Sequence, residues 1–181
     1  MNPTLIYVMG PSGAGKDSVL GWMREHWPSH VPVHWAQRTI TRVAKAGGED
    51  HEAVDTAEFL QLQEEGAFAM SWQANGLYYG SRHAQLLPRQ QGCWVLVNGS
   101  RGHLRQALQS HPGMQVVHIT AEPEILRQRL TARQRETPLQ IQQRIERASA
   151  FAVPAGAIQI ENNGDLALAG RALLQALLST I

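Results

Sequence analysis

The residues 10–18, Gly10-Pro11-Ser12-Gly13-Ala14-Gly15-Lys16-Asp17-Ser18, have the types and spacing of a phosphate-binding loop. In the pattern G-x-x-x-x-G-K the glycines let backbone N–H groups turn inward toward phosphate oxygens. The lysine sets a point charge beside the β- and γ-phosphates. Asp17 stands where a Ser or Thr usually follows the lysine. The flanks suit the motif. The apolar run Leu5-Ile6-Tyr7-Val8-Met9 predicts a buried parallel strand, and residues 18–26 predict a helix whose N-terminus faces the anion. A purely structural glycine turn is the alternative, and the lysine with its preceding strand argues against it.

Two further sets of cations fit phosphate chemistry. Arg38 and Arg42 bracket Thr39-Ile40-Thr41, with Lys45 close behind. Arginine forks make paired bonds to phosphate oxygens, so this cluster suggests a second anion pocket. Pairing with Glu49, Asp50 and Glu52 on a solvated loop is the competing reading. Asn75-Gly76-Leu77-Tyr78-Tyr79-Gly80-Ser81-Arg82 adds a tight turn, two phenols and a cation, with Gly80 expected to admit a close backbone approach. One tyrosine in the core and one at the surface would be the structural alternative. Arg127, Arg129, Arg133, Arg135, Arg144 and Arg147 surround Pro138. Two Arg-bearing helices joined at 134–137 suggest a lid over a nucleotide, and Arg133 and Arg144 flank its joint. Pairing with Glu124, Glu136 and Glu146 is the alternative for these arginines.

The elements that must position these groups alternate between strand and helix, which predicts an α/β fold with a mainly parallel sheet flanked by helices. Strands are expected at 33–37, 68–72, 77–79, 94–97, 115–119 and 157–160. Helices are expected at 56–65, 101–110, 122–133, 138–151 and 166–178. Residues 39–55, with Gly47-Gly48, read as a loop, and Asn75-Gly76 as a hairpin turn. This organisation predicts one domain over 1–181, with a core of 1–32 and 91–181, a substrate-binding insertion over about 33–90 and a lid over about 130–147. At 181 residues and 43% apolar content a single core is affordable, and a formal net charge of +1 argues against general nucleic-acid binding. Cys93 is the only cysteine, which excludes a disulfide framework and a Cys-based zinc site and leaves it as a packing residue. No signal-like or membrane-spanning run is visible, so a cytoplasmic enzyme without a membrane partner is expected.

Together the loop at 10–18, Thr41-Arg42, Tyr78-Tyr79-Gly80-Ser81 and the stretch 127–145 resemble the guanylate kinase family of P-loop phosphotransferases. The departures carry information. The Glu and Asp by which that family reads guanine fall on Met70 and Ser100, and its phosphate-binding Tyr falls on His51. Without both carboxylates the base's N–H donors would be left unpaired, at about 1–3 kcal/mol each. The acceptor is therefore expected to be another phosphate ester. Gly15-Lys16-Asp17-Ser18, the run 71–80 and Val95-Leu96-Val97-Asn98-Gly99-Ser100-Arg101 are similar to the ribose 1,5-bisphosphate phosphokinases of phosphonate degradation.

That resemblance implies transfer from ATP, with Mg²⁺, to the 1-phosphate of a phosphorylated sugar, giving 5-phosphoribosyl 1-diphosphate. It implies a nucleotide held by residues 10–18, with Lys16, Arg133 and Arg144 catalytic. The acceptor would be held by Arg38, Arg42, His51, Tyr78, Tyr79 and Ser100. With Asp17 after the lysine and Asn98 ending its strand, these two residues are the expected metal contacts. The alternative for Asp17 is to cap the first helix. A nucleoside monophosphate kinase is the runner-up function. A non-catalytic protein-binding module of the same fold is the other alternative, against which Lys16 stands.

Overall fold

Leu5–Met9 (β1) is buried at every position, as a continuous apolar run in the interior of a sheet must be. In the computed structural model, which describes residues 5–43, 50–134 and 136–179, β1 is the middle of a five-stranded sheet. Its companions are Val33–Trp35 (β2), Trp94–Asn98 (β7), Gln115–Thr120 (β8) and Ile158–Glu161 (β9), in the order β2-β7-β1-β8-β9. β2 runs parallel to β7 and β9 parallel to β8. A four-stranded sheet takes Arg38–Ile40 (β3), His51–Ala53 (β4), Phe68–Ala74 (β5) and Leu77–Arg82 (β6) in the order β4-β3-β6-β5. The helices are Lys16–His26 (α1), Thr56–Glu64 (α2), Leu104–Ser110 (α3), Pro123–Ala132 (α4), Pro138–Ser149 (α5) and Leu166–Leu178 (α6).

The expected 33–37 strand ends at Trp35, and a separate strand of the second sheet starts at Arg38. The chain leaves the five-stranded sheet after Ala36, whose N–H still reaches Leu96 O at 2.9 Å. Gln85 Oε1 then accepts from the Gln37 N–H and from His34 Nε2, each at 2.9 Å, so a side chain takes the place of the ladder at the crossing. Val33–Trp35, read from sequence as part of the insertion, is thus an edge strand of the five-stranded sheet. The expected loop at 39–55 is also corrected. Thr39 and Ile40 lie in β3 between β4 and β6, and β4 pairs with β3 in parallel register. Residues 44–49, including Lys45, Gly47-Gly48 and Glu49, lie outside the described residues, as does Arg135.

The chain forms two compact units, one of residues up to Tyr7 with Pro28–Met114, the other of Val8–Trp27 with Gln115 onward. In the first, directly opposed residues share a face of the four-stranded sheet. Tyr79 faces Trp72 on β5 and Ile40 on β3, so these three point one way. The opposite face carries Tyr78 and packs on α2, whose Phe59 stacks on Phe68 at 4.5 Å and meets Tyr78 at 5.4 Å. The β5–β6 turn is made by Asn75 and Gly76, both at positive φ (51° and 77°), as the Asn-Gly signal predicts. In the second unit α1 packs on α6, where the Trp22 ring lies so close to Gly170 that no Cβ would fit. α5 starts with a capping box. Thr137 Oγ1 accepts from the Gln140 N–H at 3.3 Å, and Gln140 Oε1 accepts from the Thr137 N–H at 2.8 Å.

Candidate active site

The loop at 10–15 is shaped by its glycines and held from behind. Gly10 lies against the Ile119 carbonyl of β8, with no room for a Cβ. Gly13 and Gly15 adopt φ of 89° and 79°, which only glycine takes without strain. Gly15 is the N-cap of α1, and an α-helix leaves its first-turn amides without intrahelical acceptors. That turn begins at Lys16 and continues through Asp17 and Ser18, so amide dipoles and the Lys16 charge converge at one helix end. Lys16 Nζ donates to Gly10 O at 3.2 Å, which draws the ammonium back across the loop. Pro11, Gly13 and Ala14 are buried, while Ser12 is half-buried.

Two side chains tie loop carbonyls outward. Asn162, 4% exposed just after β9, donates from Nδ2 to Ala14 O at 2.8 Å. Its own N–H is anchored on Thr120 O at 2.8 Å. Arg129 of α4 donates to Gly13 O at 3.4 Å, so one of the Arg-rich helices reaches the loop directly. Arg133 is the exposed C-cap of α4. Arg144 of α5 forms a 3.2 Å ion pair with Glu136. Arg127 donates to Gln142 Oε1 at 3.0 Å and Arg147 Nε to Gln143 O at 3.2 Å, which are helix-surface roles. Asp17 is exposed and lies inside the first turn of α1; the N-cap position belongs to Gly15, which makes no side-chain cap bond.

In the other unit the face of Tyr79 carries the acceptor candidates. The Arg38 guanidinium carbon lies 5.1 Å from the Tyr79 ring centre, and Tyr79 stacks on Trp72 at 5.7 Å. Tyr78 lies on the α2 face instead, its N–H donating to Thr41 Oγ1 at 2.9 Å. The Arg42 carbonyl accepts from His51 Nε2 at 3.1 Å, and Arg42 itself is exposed. His51 is 8% exposed in β4, so this hydrogen bond holds the backbone that carries Arg42. Gly80 makes room for a ring, since a Cβ there would come within 2.5 Å of Phe68. Glu52 is claimed by Arg82 at 2.7 and 2.8 Å and by the Thr39 hydroxyl at 2.6 Å.

The loop after β7 is pinned by Tyr7. The Tyr7 hydroxyl donates to Ser100 O and accepts from the Ser100 N–H, both at 2.8 Å, and its ring lies against Gly99. Burial pushes the Tyr7 phenol up to about 12, outweighing the Ser100 hydrogen bond and the Arg38 charge, which pull it down. Ser100 Oγ accepts from the Gly102 N–H at 3.2 Å and caps the short 3₁₀ turn Arg101–His103. Asn98 is buried at the end of β7. Met70 is 2% exposed and lies opposite Ser81 of β6, so a carboxylate at that position would be buried.

Among the described residues no group of three or more His, Cys, Asp or Glu side chains could hold a metal ion. Mg²⁺ is commonly held by one or two carboxylates, water and substrate phosphates rather than by such a cluster.

A ribose 1,5-bisphosphate phosphokinase PhnN of Pseudomonas paraeruginosa is 46% identical over 182 residues, covering 96% of this chain and 95% of that protein. The chain belongs to that family. A ribose 1,5-bisphosphate phosphokinase PhnN of Chromobacterium violaceum is also 46% identical, covering 95% of the chain and 92% of that protein. Relatives of the same name from Janthinobacterium sp. (45% identical) and Laribacter hongkongensis (46%) are longer, and the chain spans only 38% and 41% of their lengths. No protein-family profile matches the chain. A guanylate kinase from Anaplasma phagocytophilum superposes with a TM-score of 0.73 at 17% identity, covering 98% of this chain and 86% of that one. At that identity the likeness concerns the fold, and it bears out the expected guanylate kinase-like α/β architecture. Within the phosphokinase family frame, the sequence reading missed Asn162 and the contact of Arg129 with the loop. The turn signal Glu161-Asn162-Asn163-Gly164 was visible, but nothing in it marks a side chain that reaches back across 148 residues.

Proposed function

We propose that this chain transfers the γ-phosphoryl group of ATP to the 1-phosphate of ribose 1,5-bisphosphate, releasing ADP and 5-phosphoribosyl 1-diphosphate. The observation that carries the reading is the 46% identity to a phosphokinase of that name over nearly the whole of both chains. The retained Lys16, and a buried Met70 where a guanine-reading carboxylate would stand, support it against a protein-binding module and a guanine-reading kinase respectively.

The chemistry needs no strong base. A phosphate monoester has a second pKa near 6, so the acceptor oxygen is anionic at pH 7. That oxygen attacks the γ-phosphorus, the bond to the β–γ bridging oxygen breaks, and ADP leaves with the charge. The protein's part is alignment and charge neutralisation. Residues 10–18 cradle the nucleotide phosphates, with Lys16 beside the β- and γ-groups. Arg133 and Arg144 are the lid cations in this reading, and Arg144 would exchange Glu136 for a phosphate oxygen. Arg38, Arg42 and Tyr79 bind the acceptor, His51 acts through the Arg42 backbone, and Ser100 shapes the wall beside them. Tyr78 supports the sheet from its other face. Asp17 is assigned to the Mg²⁺ shell, and Asn98 is a neutral oxygen offered to the same role. Mg²⁺, when bound with the nucleotide, supplies neutralisation of the transferring group's charge. Action in the cytoplasm is part of the proposal, and among the described residues no helix is long and apolar enough to cross a membrane.

A coupled ADP-release assay comparing ribose 1,5-bisphosphate with GMP tests the reading. Preferred turnover of the sugar bisphosphate is expected, and preferred turnover of GMP would overturn it.

A further inference from the structure

Arginines and a phenol account for the phosphates of the proposed acceptor, but not for the sugar between them. The face that carries Arg38 and Tyr79 continues into groups of a different chemistry. Trp72 stacks on Tyr79 at 5.7 Å with planes 6° apart, and on His103 at 5.3 Å with planes 22° apart. Arg38, Tyr79, Trp72 and His103 therefore form one continuous series of stacked groups, cationic at one end. Trp72 is half-buried, so part of its indole remains open.

His103 at the far end is set up as an acceptor. It is 8% exposed, and its Nδ1 lies 2.8 Å from Gln106 Oε1. An amide oxygen only accepts, so Nδ1 carries the proton in that bond. Burial, opposed in part by the Gln106 bond, lowers its pKa and favours the neutral ring. Nε2 is then a lone-pair acceptor, and it has no hydrogen-bond partner among the described residues. A neutral acceptor nitrogen is unsuited to a phosphate dianion, which has no proton to give. It is suited to a hydroxyl. Ser100, whose backbone Tyr7 clamps, begins the turn that presents His103.

We propose that Trp72 and His103 form the sugar-reading wall of the acceptor site. The open part of the indole packs on the carbon skeleton of the pentose, and His103 Nε2 accepts a hydrogen bond from one of its free hydroxyls. The division of labour follows the chemistry of the series: phosphate at the Arg38 end, hydroxyl at the His103 end. This assignment rests on the sugar bisphosphate reading above and adds to it the residues that select a pentose.

The test pairs variants with deoxy acceptors. Wild type, His103→Leu, Trp72→Leu and Trp72→Phe are assayed with ribose 1,5-bisphosphate and its 2-deoxy and 3-deoxy analogues, alongside ATP KM and melting temperature. Wild type should lose about tenfold in kcat/KM on one of the two analogues, the worth of one neutral hydrogen bond. His103→Leu should lose a similar factor on the parent sugar and nothing more on that same analogue, with ATP KM unchanged. Trp72→Leu should raise the acceptor KM, and Trp72→Phe should restore most of it. Equal penalties for the analogue in wild type and His103→Leu would overturn the hydrogen bond. If His103→Leu does not fold, wild type decides alone, and indifference to both deoxy analogues overturns the proposal. Wild type that binds ATP but does not turn over ribose 1,5-bisphosphate would instead refute the parent reading, and this proposal with it.

Discussion

Asn162→Ala tests whether the loop at 10–15 is held in shape from behind. The bond removed is Asn162 Nδ2 to Ala14 O, 2.8 Å long between buried residues. Losing one partner of a buried hydrogen bond costs about 1–3 kcal/mol. In a chain of this size that corresponds to a melting temperature lower by a few degrees. The informative question is where the cost falls. If the bond keeps the loop carbonyls turned outward, the variant must re-form that arrangement to bind ATP. ATP affinity should then fall about tenfold, the equivalent of roughly 1.4 kcal/mol. Asn162→Asp sharpens the test. It replaces the donor with a carboxylate facing Ala14 O and the end of α1, so ATP binding should fall further than in the alanine variant. Calorimetric titration with ATP and thermal melting, with and without nucleotide, read both effects. A lowered melting temperature with unchanged ATP affinity in both variants would refute the argument and leave Asn162 as a clamp for the end of β9.

Lys16→Ala should abolish transfer with little change in melting temperature, because the ammonium serves phosphates rather than the core; near-normal turnover would remove this loop from catalysis. Asp17→Asn and Asp17→Ser should raise the Mg²⁺ concentration needed for half-maximal rate several-fold with little loss of stability, and unchanged Mg²⁺ dependence would remove Asp17 from the metal shell. Tyr7 gives an alkaline signature. Its phenol is held up to about 12, against about 10 when unfolded, so the unfolded chain loses its proton first. That stability is complete below pH 10 and declines up to pH 12, by at most about 2.7 kcal/mol. Tyr7→Phe, compared by denaturant melts across this range, should lack the decline; the same decline in both proteins would assign it elsewhere. Burial lowers the pKa of His103 and His111, so stability should also fall as pH drops below about 6.5, where the unfolded histidines protonate first.

The residues that announce themselves in sequence do so because their chemistry is local. Gly10 to Lys16 is one turn preceded by one strand, and Asn75-Gly76 needs only its two positive φ angles, so both were legible. Leu166–Leu178 was legible to its ends because its apolar stripe and Asp165 cap are contiguous. What was hidden depends on partners distant in the chain. β3 and β4 look like polar loop because β3 is buried by pairing with β4 and β6 rather than by its own apolar content. The break between β2 and β3 is made by Gln85, 48 residues beyond Gln37. Tyr78 and Tyr79 are adjacent and equivalent as residue types, and only the register with Trp72 separates their faces. The Arg-rich stretch was recognisable as a cluster, yet sequence could not tell that Arg129 reaches the Gly13 carbonyl while Arg144 pairs with Glu136. Lys45 and Arg135 lie outside the described residues.

The most direct test of the central claim is the position of the new bond in the product. Purified chain is incubated with ATP, Mg²⁺ and ribose 1,5-bisphosphate, and the product is read by phosphorus NMR. The account predicts a diphosphate on carbon 1, seen as two mutually coupled phosphorus signals, beside an unaltered 5-phosphate monoester. A diphosphate on carbon 5, or no sugar product under conditions where GMP is converted to GDP, would contradict it.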